Sequence, residues 1–550
     1  MTRHWDRIAA GVLGGLIALS IFGTYGLDPS HIDWMAGDNA QHYLGWVFFR
    51  HESWALPLGR ITHFPSAGGT SLVFTDSLPL LALPLRLVAS LLPTPFQFHG
   101  WWLLLCFVLQ GIFGTVLLET LGVTSRAVRV TGATLFTVAP WFSGHISIMG
   151  QWQLLAALAC YASDVRAQRM STGRWCALCV LALFTHFYLW WMIATVAAAA
   201  AAREAWTARH LRPFIAGASR ILAASFATMV LLGYFSGEDP ANGGFGLYST
   251  NLNAFFDSAS GSRWLPALGS NPGQHEGFAY FGVAGLLLLL SALVLHFSSR
   301  RTPLPLERAQ WIPLWIALGY LYFLALSTTI TFGTHVLVQL PAGGGVFYGT
   351  IRAAGRFVFL ICDALLAFAV ATVARRLPAR IAVAVFAVAA CMQLYELTPL
   401  NDNRALTRQS DFTRLQDPVW AAVANDYSQI AIYPPLFSPF RCVPGAASGD
   451  LERLGFNGFA VLAADRGMSI NSAYLARRDK KAQNKYCTSF ISGVDEGVTE
   501  PRTLYVVDEH FAERFHARMP VDCGRIDGSE ICTARTDTSA LHAALLAHPL

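Results

Sequence analysis

The sequence predicts a mainly α-helical bundle that crosses a membrane many times and ends in a separate α/β domain. The chain has 550 residues, of which 54% are hydrophobic and only 13% charged, whereas soluble domains carry roughly 25% charged residues. Apolar runs close to the roughly 20 residues needed to cross a bilayer recur from residue 8 to residue 397. From residue 401 the composition becomes that of a soluble domain. We therefore expect an integral membrane protein with one soluble domain.

Arginines concentrate in short segments between the apolar runs, and the positive-inside rule assigns these segments to the cytoplasm. Between consecutive clusters the chain must then cross the membrane twice. Run lengths predict about eleven spans, with the N-terminus in the cytoplasm and the C-terminus outside. The stretch 175–202 fits two short helices with a turn near Phe187 or one long span, and the charge clusters favour two. The spans are expected to begin near residues 8, 99, 130, 147, 175, 188, 213, 278, 310, 356 and 380.

The first outer segment, residues 27–99, is much longer than a connection between two helices requires. Its apolar stretch Ser77–Leu92 is short and contains two prolines, so we expect a re-entrant or interfacial helix there rather than a span. The stretch Asn39–Ser53 has the amphipathic pattern of a helix that lies on a membrane surface. Polar side chains of this loop are therefore expected outside, near the membrane.

Two acids of this loop, Asp38 and Asp76, are candidate functional residues that also have structural interpretations. Asp38 followed by Gln41 fits an N-cap with a capping box. Thr75-Asp76-Ser77 before an apolar run is a common signal for the start of a helix. A cap can coexist with chemistry, so both interpretations stay open.

Two arginines, Arg352 and Arg356, lie four residues apart just before the span that starts at Phe357. Arginine on the outer face opposes the positive-inside bias, so an anionic partner is expected. A phosphate is one candidate, because guanidinium binds it through two hydrogen bonds. The nearby Gly343-Gly344-Gly345 lacks the lysine of a P-loop. The alternative is an ion pair with an outer acid, Asp38, Asp76 or Glu276.

The region from residue 401 alternates short β-like runs with helical stretches, which predicts a small α/β domain. It contains four of the ten cysteines of the chain. The expected location outside the membrane and the even count favour two disulfides, with four free thiols as the alternative. The four cysteines are Cys442, Cys487, Cys523 and Cys532.

A dense motif occupies the first outer loop. It consists of Gly37-Asp38-Asn39-Ala40-Gln41-His42-Tyr43-Leu44-Gly45-Trp46, Phe48-Phe49-Arg50, Trp54, Pro57-Leu58-Gly59, Gly69-Thr70-Ser71 and Thr75-Asp76-Ser77-Leu78-Pro79-Leu80. This motif resembles DUF6311, a family of bacterial membrane proteins that is similar to the GT-C glycosyltransferases. The resemblance implies a GT-C-like transmembrane domain over residues 1–400, with the large outer loop 27–99. In a bacterial inner membrane, residues 401–550 would form a periplasmic domain.

The GT-C likeness implies transfer of a sugar from a polyprenyl-phosphate-linked donor to a glycan or lipid acceptor at the outer face. Inversion at the anomeric carbon needs one base for the acceptor hydroxyl and positive groups for the leaving phosphate. Asp38 would be the base, Asp76 a second acid and His42 a helper. The expected catalytic residues are thus Asp38, Asp76 and His42, and the expected substrate-binding residues are Arg352, Arg356, Gln41 and His145.

The first outer loop lacks the DxD or adjacent acid pair of many GT-C enzymes. We therefore expect a reaction that requires no cofactor, with dependence on a divalent metal as the alternative. The expected partners are the lipid-linked donor, the acceptor and membrane lipid, without nucleic acid. A transporter or flippase of lipid-linked saccharides is the alternative function, and it predicts charges inside the spans, where Asp363 is one. A non-catalytic assembly scaffold is a third hypothesis.

Overall fold

The protein is described by a computed structural model that is mainly helical, with 60% of its residues in helices. Its contacts group the chain into two compact units. The first unit comprises Met1–Asp28, Phe98–Thr228 and Asn242–Leu406, and the second comprises Pro29–Gln97, Met229–Ala241 and Thr407–Leu550. The structure describes residues 4–142, 145–236, 239–240, 244–298, 308–341, 349–408, 415–438, 440–443, 455–475 and 477–550.

The helices and strands of the described residues follow in chain order. The α-helices are α1 (Trp5–Phe22), α2 (Asp38–Phe49), α3 (Pro79–Leu87), α4 (His99–Thr120), α5 (Arg126–Thr137), α6 (Trp152–Ala167), α7 (Thr172–Thr185), α8 (Phe187–Ala208), α9 (Arg212–Leu232), α10 (Gly282–Ser298), α11 (Ile312–Leu326), α12 (Val358–Arg376), α13 (Ala379–Glu396), α14 (Thr398–Asp402), α15 (Val423–Asp426), α16 (Phe456–Asp465), α17 (Lys480–Glu496), α18 (Ala512–Arg518) and α19 (Ala540–Ala547). The strands are β1 (Arg60–Ile61), β2 (Thr70–Ser71), β3 (Asp239–Pro240), β4 (Thr329–Phe332), β5 (His335–Gln339), β6 (Gln429–Tyr433), β7 (Leu436–Ser438), β8 (Phe440–Arg441), β9 (Ser469–Ile470), β10 (Ala473–Tyr474), β11 (Arg477–Arg478), β12 (Thr503–Val507), β13 (Val521–Ile526) and β14 (Ser529–Ala534).

Each of the eleven expected spans coincides with a helix, namely α1 or one of α4 to α13. The stretch 175–202 breaks at His186 into α7 and α8, so it forms two helices as favoured. α7 and α10 are apolar but shorter than a full span. The chain is therefore a membrane protein by composition and helix length, while eleven crossings stay a prediction. Six helices of the described residues are long and apolar enough to cross a membrane: Trp5–Phe22, His99–Thr120, Arg212–Leu232, Ala309–Leu326, Ala354–Arg376 and Ala379–Glu396.

Small residues allow α1 and α4 of the first unit to approach closely. A Cβ on Gly14 would lie 2.3 Å from the Phe107 carbonyl oxygen, and one on Gly111 would lie 2.3 Å from that of Ala10. Apolar helices without a hydrophobic drive between them associate through such close backbone contact. The two glycines therefore fix where the first helix packs.

In the first unit, the irregular segment before α12 and other irregular segments contact one another and form hydrogen bonds. Thr250 Oγ1 donates to the Gly355 carbonyl oxygen over 2.9 Å, and Asn251 Nδ2 donates to that of Gly333 over 2.7 Å. A Cβ on Gly355 would lie 2.7 Å from the Cα of Gly277. These contacts hold the segment that carries Arg352 and Arg356 against its neighbours.

The apolar part of the loop between α1 and α4 forms only a short helix in the second unit. α3 has 9 residues, which at 1.5 Å per residue is about 14 Å. The hydrocarbon core of a bilayer is about 30 Å thick, so Ser77–Leu92 is too short to cross, as expected. Leu87 and Leu91 at its end are 73% and 81% exposed, and an interfacial location stays a prediction.

The C-terminal residues form a mixed five-stranded sheet in the order β13-β14-β12-β6-β9. β6 is parallel to β12 and β9, whereas β14 is antiparallel to its neighbours. α17 and α18 cover one face through Phe490 and Phe515, which pack on Tyr433 and Tyr505. The disulfides of this region are Cys442–Cys487 and Cys523–Cys532.

The loop between α1 and α4 packs on this C-terminal sheet within the second unit. The Ser66 amide donates to the Ile470 carbonyl oxygen over 2.8 Å, and the Ile470 amide donates to that of His63 over 3.2 Å. α2 packs against α16. The sequence assigned the loop to the membrane domain, whereas the contacts join it to the C-terminal region.

Candidate functional site

The N-terminus of α2 exposes an acid. Asp38 is the first residue of α2 and is exposed, while Gly37 takes the N-cap position with a φ of 57°. No side chain caps this helix end, so the prediction that Asp38 is the N-cap of a capping box is wrong. The cause is Gly37: because glycine adopts positive φ readily, it takes the N-cap position, and the helix begins at Asp38, one residue earlier than a cap at Asp38 implies. The Asp38 carboxylate instead lies in the first turn, where the helix dipole favours negative charge.

The next turn of α2 ties the loop to the helix. Gln41 and His42 are buried. Gln41 Nε2 donates to the Phe74 carbonyl oxygen over 2.9 Å, and His42 Nδ1 donates to that of Asp76 over 2.7 Å. Because a carbonyl oxygen only accepts, this contact requires the proton on Nδ1. Both side chains therefore position residues 74–76 beside α2.

Asp76 lies at a backbone turn with a φ of 53° and is half-buried. The expected helix start at Thr75-Asp76-Ser77 is wrong, since α3 begins at Pro79. Ser77 Oγ instead donates to the His42 carbonyl oxygen over 2.7 Å. Burial raises the pKa of Tyr234 well above its usual value, and the charge of Asp76 adds to this rise. The Asp76 carboxylate therefore faces a buried phenol.

Arg356, in the first unit, is held in an ion pair. Its Nε and Nη2 contact the two Glu276 carboxylate oxygens at 2.7 and 2.9 Å, and its guanidinium carbon lies 5.5 Å from the Tyr188 ring centroid. Burial raises the pKa of Glu276, but the Arg356 charge and hydrogen bond outweigh it, so the net pKa is below the usual value. The sequence left a phosphate or an acid as the partner of this arginine, and the structure shows an acid, Glu276.

Arg352, four residues earlier, is exposed. Its Nη2 donates to the Tyr248 hydroxyl over 3.0 Å, and its guanidinium carbon lies 4.9 Å from that ring's centroid. The next amide, of Ala353, donates to the Tyr188 hydroxyl over 2.7 Å. An aromatic ring and a hydroxyl thus orient the guanidinium, whose charge also acts on Glu276. Such a group suits a phosphate.

Two histidines of the first unit lie close to each other. The ring centroids of His145 and His186 are 5.9 Å apart, and His145 Nδ1 is hydrogen-bonded to Ser147 Oγ over 2.9 Å. His186 Nδ1 accepts from the Tyr188 amide over 3.1 Å, which caps α8. His186 also stacks on the Tyr188 ring at 5.3 Å. Ring contacts therefore connect His145 through His186 to Tyr188, the ring that contacts Arg356.

Family comparison agrees with the motif of the first loop. The model of the domain of unknown function DUF6311 matches residues 11–398, and the DUF6311 C-terminal domain matches residues 419–534. The chain belongs to the DUF6311 family. No curated protein and no solved structure matches it.

One group of metal-binding side chains lies in the second unit of this DUF6311 protein. It comprises His516, Cys523, Glu530 and Cys532, whose ligand atoms are all within 4.8 Å of one another. Cys523 and Cys532 form a disulfide, and His516 Nε2 lies 2.7 Å from Glu530 Oε1. Since metals bind thiolates rather than disulfide sulfurs, the disulfide form offers an ion only the histidine and the carboxylate.

The expected site residues of the DUF6311 protein divide between the units. The structure places Asp38, Gln41, His42 and Asp76 in the second unit, where His42 is bonded to the Asp76 carbonyl oxygen, and it places His145, Arg352 and Arg356 in the first. Their convergence on one cleft stays a prediction. Sequence reasoning missed two residues that hold the arginines, Tyr188 and Tyr248. The only sequence signal was that both residues are aromatic, and aromatic residues are common near the ends of membrane helices.

Proposed function

We propose that this DUF6311 protein is an inverting membrane glycosyltransferase that uses a polyprenyl-phosphate-linked sugar and acts at the outer face of the inner membrane. Asp38 carries the proposal. Its carboxylate is exposed, whereas residues 40–49 of the same helix are buried. A general base must reach its substrate and be held in place, and this arrangement supports both requirements.

In the proposed reaction Asp38 accepts the proton of the acceptor hydroxyl. The acceptor oxygen then bonds to the anomeric carbon, and the bond from that carbon to the phosphate oxygen breaks. Polyprenyl phosphate leaves with the bonding electrons, and Arg352 stabilises its charge. Arg356 is already neutralised by Glu276, so we assign it a positioning role. The residues present need no metal for these steps.

One observation favours the alternative of a lipid-linked saccharide transporter. Asp363 in α12 is fully buried. Its Oδ1 accepts from Trp141 Nε1 over 3.2 Å, while Oδ2 has no hydrogen-bond partner within the described ranges. Buried carboxylates in membrane helices often serve ion-coupled movement. Asp363 therefore separates the two hypotheses experimentally.

The decisive experiment measures sugar transfer from a synthetic polyprenyl-phosphate sugar by the purified full-length protein. We expect Asp38→Asn to lower the rate about 10²- to 10⁴-fold, the usual contribution of a positioned base. The matched control is Asp33→Asn, because Asp33 lies in the same loop, 3.4 Å from Arg408, and should keep the rate. Full activity of Asp38→Asn would refute the base. Movement of intact saccharide that requires Asp363 but not Asp38 would favour transport.

A further inference from the structure

An apolar cavity lies among α4, α6, α10, α11 and α12 of the first unit. Its volume is about 530 Å³, within the range of roughly 300–1,000 Å³ typical of ligand sites. Leucine, alanine and aromatic side chains form most of its wall. Its polar or charged side chains include His296, Thr372 and Arg375. Such a lining suits a hydrocarbon chain rather than a sugar.

The cavity follows the second half of α12. It extends from Ala364 to Arg375, a rise of about 16 Å along the helix. Arg352 and Arg356 precede the opposite end of this helix. The cavity therefore belongs to the other end of the helix from the outer arginines. By the positive-inside rule, Arg375 and its neighbour Arg376 mark the cytoplasmic end.

The polar end of the cavity is positively charged. Arg375 is exposed, and among the described residues the charged groups that act on it are Arg376 and Arg166, both of the same sign. The His296 ring meets the Phe368 ring edge-on, with centroids 5.6 Å apart. Like charges held together favour an anion at this end. Basic pockets between membrane helices on the cytoplasmic side are known binding sites for anionic lipid headgroups.

We propose that the cavity binds an acyl chain of an anionic diacyl phospholipid, with the lipid phosphate at Arg375. The apolar wall accommodates the chain, and the basic end selects the charge of the headgroup. The polyprenyl-phosphate donor is not the expected occupant, because its phosphate is assigned to Arg352 at the other end of α12. The site is a second lipid site, and it stands whether or not the transferase proposal holds.

The test is native mass spectrometry of the full-length protein, titrated in detergent with phosphatidylglycerol or phosphatidylcholine. We expect phosphatidylglycerol to bind more tightly, and Arg375→Gln to reduce that preference about fivefold, as one arginine near a membrane surface contributes. The matched control is Arg380→Gln, since Arg380 is exposed in the first turn of α13 and is absent from the cavity lining. It removes the same charge and should leave the preference unchanged.

A second variant tests the apolar part of the cavity. Ala364→Trp would fill it and should weaken both phospholipids without changing the preference between them. Equal binding of both lipids by the wild type, or equal loss in Arg375→Gln and Arg380→Gln, would refute the proposal. Displacement of phosphatidylglycerol by polyprenyl phosphate, with the same dependence on Arg375, would refute the assigned occupant.

Discussion

The N-terminus of α2 and the segment before α12 each pair an exposed charge with anchored neighbours. In α2, Asp38 is exposed while Gln41 and His42 bond to carbonyl oxygens. Before α12, Arg352 is exposed while Arg356 is paired with an acid. The two regions differ in their anchors, which are neutral contacts in the acidic region and an ion pair in the basic one.

This difference predicts which of the two regions is sensitive to pH and which to redox state. The amide of Gln41 does not titrate, and a histidine that donates from Nδ1 keeps that donor when the ring takes up a second proton, whereas an ion pair fails when its acid takes up a proton. The acidic region also belongs to a unit with two disulfides. The cysteines that the structure describes in the first unit are free. Redox state should therefore affect the acidic region, and pH the basic one.

The largest expected effect is the loss of the Cys442–Cys487 disulfide. It closes a separation of 45 residues, for which chain entropy predicts about 4 kcal/mol of stabilisation. The double variant Cys442→Ser/Cys487→Ser should therefore unfold in the second unit at a lower denaturant concentration, as measured by limited proteolysis. The matched control is Cys391→Ser, which changes an exposed free cysteine of the first unit. Equal losses of stability in the double variant and in Cys391→Ser would contradict the expected difference between the units.

The next effect concerns Arg352 and its neighbour. In the proposed reaction, Arg352→Gln would remove a charged hydrogen bond to the donor phosphate worth about 1.5–3 kcal/mol, so the KM for the donor should rise roughly 10- to 100-fold. Thermal stability should change little, because this side chain is exposed. Arg356→Gln should instead lower thermal stability and change the KM for the donor less. A larger rise in KM in Arg356→Gln than in Arg352→Gln would contradict the roles assigned to the two arginines.

The smallest effect is the pH dependence of the ion pair at Glu276. Glu276→Gln should cost about 1–2 kcal/mol of stability at neutral pH, because it leaves the half-buried Arg356 without its acid. The lowered pKa of Glu276 means that this contribution is present above the ordinary value of 4.5 and is lost as pH falls through the lower folded value. Thermal unfolding from pH 8 to pH 3 measures it. A difference between the two proteins that persists at the lowest pH would contradict the ion pair.

Local patterns predicted much of the fold and part of the site. Run lengths located the helices, the prolines of Ser77–Leu92 indicated a short helix, and the charge argument included Glu276 as a partner for arginine. The cap at Asp38 was wrong because Gly37 provides the backbone turn that begins the helix. The pairing of Ser66 with Ile470 has no local signal, since residues 404 positions apart meet only in the folded chain.

The stereochemistry of the transferred sugar tests the central claim most directly. The purified full-length protein would receive a synthetic polyprenyl-phosphate sugar of known anomeric configuration, and nuclear magnetic resonance would report the configuration in the product. Direct attack with Asp38 as base predicts a product of inverted configuration, formed much more slowly by Asp38→Asn. A product of retained configuration, or movement of the intact lipid-linked sugar without transfer, would contradict the account.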